Sequence, residues 1–147
     1  LVGDYENDLD PLNPKTVESI NSNASILAVG FKNDVRPYLA IANVLVFPSY
    51  REGFPNVVMQ AGAMGLPSIV SDINGCNEII IDQENGLIIP VKDEMAIFLA
   101  MKKVVSNSSL TSTMISNSRQ MIVSRYEQKV VWEAILSEYR TFESPNV

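Results

Sequence analysis

Short apolar runs alternate with stretches of helical periodicity along most of this chain. Ile26-Leu27-Ala28-Val29 is a continuous apolar run closed by Gly30, and Val44-Leu45-Val46-Phe47 is a second, closed by Pro48. Ser68-Ile69-Val70-Ser71 and Gly86-Leu87-Ile88-Ile89-Pro90 complete the set. Continuous apolar runs of this length predict strands buried on both faces, in contrast to the polar–apolar alternation of half-exposed strands. Between and beyond them the pattern predicts helices over Lys15 to Asn21, with Pro14 in the first turn, and over Val35 to Ala42. Another is expected from Asn56 to Met64, stopped by Gly65 with Pro67 just beyond. The last three run from Glu94 to Val105, Leu110 to Arg125 and Gln128 to Phe142, with Ser106-Asn107-Ser108-Ser109 as the polar break that caps the middle one. Strands separated by single helices predict an α/β fold: a doubly wound, Rossmann-like parallel sheet with helices on both faces. Met95, Met101, Met114 and Met121, and Trp132, Ile135, Leu136 and Tyr139 near the end, fall at helical spacing and are expected to pack in the core.

The 147 residues are the length of one domain, without internal repeat or long linker. Leu1-Val2-Gly3-Asp4 opens the chain without Met and is expected to be the tail of a buried strand in a longer protein. Eleven Lys and Arg against seventeen Asp and Glu give a net charge of −6 with no basic run, which argues against nucleic acid as a partner. No apolar run approaches the roughly 20 residues of a membrane span, and no signal-peptide pattern opens the chain. A cytoplasmic setting is the expectation, in keeping with the single cysteine, Cys76. The absence of His excludes Ser-His and Cys-His catalysis and imidazole general bases within this chain.

Ligands of such sheets sit beyond the carboxyl ends of the strands, in the loops that enter the next helices. Three loops qualify: Gly30 to Asp34, Ser49 to Asn56 and Asp72 to Asn77. The second places Glu52 in a loop shaped by Gly53 and Pro55 and then starts a helix near Asn56. The first backbone N–H groups of a helix lack intrahelical partners and carry partial positive charge, which suits a diphosphate without any basic side chain. Gln60, one turn on, could present its amide to the same cleft. The plainer reading of the same spacing, a loop-to-helix connection with a solvated Glu and an Asn cap, stands beside it. Asp8-x-Asp10 resembles a metal-holding carboxylate pair but lies in a Pro-rich turn with no strand directly ahead of it. Asn74-Gly75-Cys76-Asn77-Glu78 could line the same cleft but reads more simply as a solvated turn before a helix, with Cys76 a bystander thiol. GxGxxG, GxxxxGK[ST] and GxSxG motifs are absent.

The stretch from Val44 to Ile80, VLVFPSYREGFPNVVMQAGAMGLPSIVSDINGCNEII, resembles the C-terminal domain signature of family 4 (group 1) glycosyltransferases of the GT-B fold. The shared pattern is a Pro-Ser step after a strand, then EGF, E-x(7)-E, A-x-G-x-P and D-x-x-G-x-x-E. Glu52, Gly53, Phe54, Gly65, Pro67, Asp72, Gly75 and Glu78 fall into it, and NGLIIP with Lys92-Asp93 matches a later turn. The resemblance is close over roughly residues 26 to 105. It implies that Glu52, the catalytic candidate, accepts hydrogen bonds from donor-sugar hydroxyls, assisted by the N–H groups of Gly53 and Phe54. It also implies that the N–H groups of Asn56 and Val57 hold the diphosphate, that Gln60 meets the ribose, and that the backbone at Phe31 and Lys32 meets the base. Gln60 departs from the pattern, which has a second Glu there. The implied reaction is transfer of a sugar, with retention and without a metal or other cofactor, from a nucleotide-sugar to a glycan or lipid-linked acceptor. A UDP-sugar is the expected donor, and cell-surface polysaccharide biosynthesis the expected setting. On this reading residues 1–147 are a donor-binding domain truncated by its first strand–helix unit, and the acceptor-binding N-terminal domain lies outside the chain. The chain alone is then expected to be inactive, and the full protein could associate peripherally with a membrane. Two alternatives are a GT-B-fold nucleotide-sugar epimerase or phosphorylase domain and a non-catalytic receiver-like module.

Overall fold

The computed structural model describes residues 1–5, 8 and 11–143. Two compact units make up the chain, Leu1–Tyr38 and Leu39–Val147. The first unit holds α1 (Pro14–Ser22), with Pro14 at its start and the Asn13 side chain accepting from the Lys15 N–H at 2.9 Å. The helix α2 (Arg36–Ile41) runs from the first unit into the second. The second contains β1 (Leu45–Phe47), α3 (Asn56–Ala63), β2 (Ser68–Ser71), α4 (Cys76–Ile79), β3 (Gly86–Ile89), α5 (Glu94–Ser106), α6 (Ser108–Tyr126) and α7 (Gln128–Glu143).

The strands form a parallel sheet in the order β1-β2-β3, with Phe47 opposite Val70 and Val70 opposite Ile88. Because side chains alternate along a strand, this register sends Leu45, Phe47, Val70 and Ile88 to one face and Val46, Ile69, Leu87 and Ile89 to the other. On the first face they meet Val58 of α3, Cys76 and Ile79 of α4, and Ile122 of α6. On the second they meet Ala100 and Val104 of α5 and Met114 of α6. The long α6 thus serves both cores through Met114, Ser118 and Ile122, spaced by one turn each. This is the doubly wound, Rossmann-like parallel architecture expected from the apolar runs. The caps fit too: Asp93 accepts from the Ala96 N–H at 2.8 Å, Asn107 from the Leu110 N–H at 3.0 Å, and Gly65 stops α3 at φ +80°.

Four expectations change. Ile26–Val29 is not a buried strand of the sheet: Leu27 is 74% exposed, and the segment is held by backbone bonds to the exposed Leu1, with Gly30 just after it accepting from the exposed Gly3. Leu1 and Val2, which lie beside it, are exposed as well. Trp132 and Tyr139 are 62% and 66% exposed, and Ile135 and Leu136 are exposed with them. Periodicity shows that a helix has an apolar stripe, not that another element covers it. Met114 is buried and Met121 half-buried, but Met95 and Met101 face outward on α5. The turn at Asn74–Glu78 is less solvated than expected, since Gly75 and Cys76 are buried at the start of α4. Asp10, and with it the Asp8-x-Asp10 pair, lies outside the described residues. No helix among the described residues is long and apolar enough to cross a membrane.

Candidate functional site

The loop between β1 and α3 leaves the carboxyl end of the sheet and returns as a helix. Pro55 stands at the N-cap of α3 and supplies no side-chain cap, unlike the residues that open α1, α5 and α6. Asn56 is the first helical residue, so the expected Asn cap is absent. The Pro55 carbonyl accepts from the Val58 and Met59 N–H groups, while those of Gly53, Phe54, Asn56 and Val57 have no partner among the described residues. Four unpaired donors therefore cluster within five residues, Pro55 having no N–H to give. Gln60 follows one turn later and is exposed.

Glu52 is half-buried and accepts from the Ser49 hydroxyl at 2.9 Å, a bond of ordinary length that ties its carboxylate to its own loop. From behind, Gly75 supports the loop. Its φ of +77° is one that L side chains rarely adopt, and a Cβ there would overlap the Gly53 carbonyl oxygen and lie 3.0 Å from the Phe54 Cα. The Gly75 N–H donates to the Glu78 carboxylate at 3.2 Å, and the Asn77 amide to Asp72 at 2.9 Å, which fastens the Asp72–Asn77 loop on itself. The residues of the D-x-x-G-x-x-E segment thus form a backing for the Glu52 loop.

Phe54 meets Tyr126 edge-on at 5.4 Å between ring centroids. The Tyr126 hydroxyl donates to the Glu78 carbonyl at 2.9 Å, and Arg125 donates to the carbonyls of Glu78 and Ile79 at 3.0 and 2.7 Å. These residues at the end of α6 satisfy the last carbonyls of α4 and hold Phe54 in place. Sequence reading left them as an ordinary helix end; a cation in a last helical turn was the available hint.

Cys76 is fully buried at the first position of α4. Burial, with the Glu52 charge as a second cause, pushes its thiol up to about 11 from 9.0. The neutral thiol is the form the fold favours, so this contribution is present below pH 9 and is lost as pH rises toward 11. Alkylation by iodoacetamide at neutral pH should proceed no faster than unfolding exposes the thiol; rapid labelling of the folded protein would contradict this. Cys76 is accordingly a packing residue.

The structure places Glu52, Gly53, Phe54, Asn56, Val57 and Gln60 together on one loop and one helix turn of the second unit. Phe31 and Lys32 belong to the first unit, where the Phe31 N–H donates to Asp4 at 3.0 Å and its ring is exposed. Among the described residues no cluster of three or more metal-ligating side chains occurs.

The sequence profile of Glycosyl transferases group 1 matches residues 1–107. The chain belongs to this family. A group 1 glycosyl transferase assignment removes the receiver-like module as an alternative. The chain is 29% identical over 123 residues to the capsular polysaccharide biosynthesis glycosyltransferase CapM of Staphylococcus aureus, covering 84% of this chain and 32% of that protein. It is 34% identical over 128 residues to the UDP-Gal:alpha-D-GlcNAc-diphosphoundecaprenol alpha-1,3-galactosyltransferase of Escherichia coli, covering 86% of this chain and 32% of that protein. Sucrose-phosphate synthase from Thermosynechococcus elongatus superimposes with a TM-score of 0.77 at 27% identity, over 87% of this chain and 33% of that one. Anabaena HepE, solved in complex with UDP-glucose, shares the fold at a TM-score of 0.77 and 16% identity, over 86% of this chain and 35% of that one. The chain thus spans about a third of the length of the relatives it matches.

Proposed function

We propose that this group 1 glycosyl transferase chain is the donor-binding domain of a retaining enzyme that moves a sugar from a nucleotide-sugar, a UDP-sugar first among them, to a glycan or lipid-linked acceptor. The acceptor is held by a second domain outside residues 1–147, and the reaction serves cell-surface polysaccharide biosynthesis on the cytoplasmic side. The observation that carries this reading is the run of four unpaired N–H groups at the uncapped start of α3, beside the carboxylate of Glu52. Donors of this kind, with those of Asn56 and Val57 at the positive end of the helix dipole, meet the charge of a diphosphate without a metal. Glu52 then accepts from hydroxyls of the sugar and Gln60 from those of the ribose. UDP-linked sugars are supported by the activity named for the Escherichia coli relative and by the UDP-glucose complex of HepE, which are statements about those proteins.

Calorimetric titration of the full-length protein with UDP, GDP and ADP tests the reading. UDP should bind, and Gln60→Ala should weaken UDP and the UDP-sugar alike by roughly two- to tenfold, the range of one neutral hydrogen bond. Binding of none of the three nucleotides would sink the proposal. A Gln60→Ala protein that binds UDP unchanged would remove Gln60 from the ribose.

A further inference from the structure

Lys92 lies in the turn from β3 to α5 with a φ of +57°, a left-handed conformation that a glycine would fill without penalty and a lysine rarely adopts. A residue kept in such a conformation is a candidate for a role beyond the turn. Its ammonium stands 4.7 Å from the centroid of the Tyr50 ring. Tyr50 follows β1 and Lys92 follows β3, with β2 between them, so the contact reaches across the carboxyl end of the middle strand. Tyr50 is two residues ahead of Glu52, while Gly75 and Tyr126 support Gly53 and Phe54 just after it. The Glu52 loop is therefore gripped on both sides of its carboxylate.

From this juxtaposition we infer that Lys92 is a positioning residue for the donor loop: its ammonium clasps the Tyr50 ring and fixes the loop from which Glu52 reaches the sugar. The inference rests on the donor-site reading of Glu52. A cation over an aromatic face needs the charge and the π-system together, so the two residues act as one unit. The backbone of the turn is a separate matter, since Lys92→Gly would relieve strain and still lose the clasp.

In the full-length protein, Lys92→Met and Tyr50→Leu should each lower kcat/KM by about two- to fivefold, the range of an exposed cation–π contact, with free UDP affinity unchanged. The double variant should lose no more than either single one. Lys92→Arg should keep the wild-type rate, while Lys92→Gly should fall with Lys92→Met. Amide relaxation should report greater mobility of residues 50–54 in Lys92→Met and Tyr50→Leu, with the rest of the fold unmoved. Wild-type mobility and rate in Lys92→Met, a wild-type rate in Lys92→Gly, or additive losses in the double variant would each overturn the clasp. A wild-type protein that turns over no nucleotide-sugar would instead overturn the donor reading, and the relaxation measurement would still decide whether Lys92 orders the loop.

Discussion

Glu52→Gln should lower kcat/KM of the full-length transferase by about 1–3 kcal/mol, roughly five- to 150-fold, while free UDP binds nearly as tightly as before. The amide is nearly isosteric and can still accept from Ser49, so the bond that holds residue 52 at 2.9 Å survives in kind. What disappears is the charge. A hydrogen bond to a carboxylate contributes about 1.5–3 kcal/mol where a neutral one contributes about 0.5–1.5. On the proposed reading that difference is felt at the sugar, where positive character develops as the donor bond breaks, and not at the nucleotide. Steady-state kinetics beside UDP titration separates the two. Equal losses in UDP affinity and in kcat/KM would move Glu52 from the sugar to the nucleotide.

Gly75→Ala should destabilise the protein by about 2–4 kcal/mol, the sum of left-handed backbone strain and an overlap that only backbone movement relieves. The clashing atoms are the carbonyl of Gly53 and the Cα of Phe54, so neither can swing aside as a side chain could. Gly65→Ala is the matched control. Its φ is +80° and nothing lies within 4 Å of an added Cβ, so strain alone operates there, about 1–2 kcal/mol. Denaturant unfolding of both variants isolates the overlap as the difference. The Gly75 variant should also bind UDP less well than the Gly65 variant, because relief of the overlap shifts the loop that carries the unpaired amides. Equal stability and equal UDP affinity in the two would show that the Asp72–Asn77 loop does not brace the Glu52 loop.

The sheet was legible because β1, β2 and β3 are short apolar runs with Gly or Pro near their ends, and burial on both faces leaves such a run few other places to go. Ile26–Val29 carries the same signal and is exposed, since composition reports the tendency to be buried and not the partner that accomplishes it. The stripe of α7 misled in the same way: Trp132, Ile135 and Tyr139 are correctly phased along the helix and face outward. At the site, the start of α3 was readable from the Gly-Pro loop and the apolar helix behind it. The bracing was not. Gly75 against Gly53, Arg125 against Ile79 and Lys92 against Tyr50 join residues 22 to 46 positions apart. No local pattern of polar and apolar positions records contacts of that range. The four-residue α4 is likewise shorter than the window in which helical periodicity can be seen.

The central claim is that the uncapped start of α3 receives a nucleotide diphosphate with Glu52 beside the sugar. A crystal structure of the full-length protein with a non-transferable UDP-sugar analogue tests it most directly. Phosphate oxygens about 2.7–3.2 Å from the Asn56 and Val57 nitrogens, with a sugar hydroxyl at the Glu52 carboxylate, are the predicted result. A diphosphate seated elsewhere, with those two amides still facing only solvent, would contradict it.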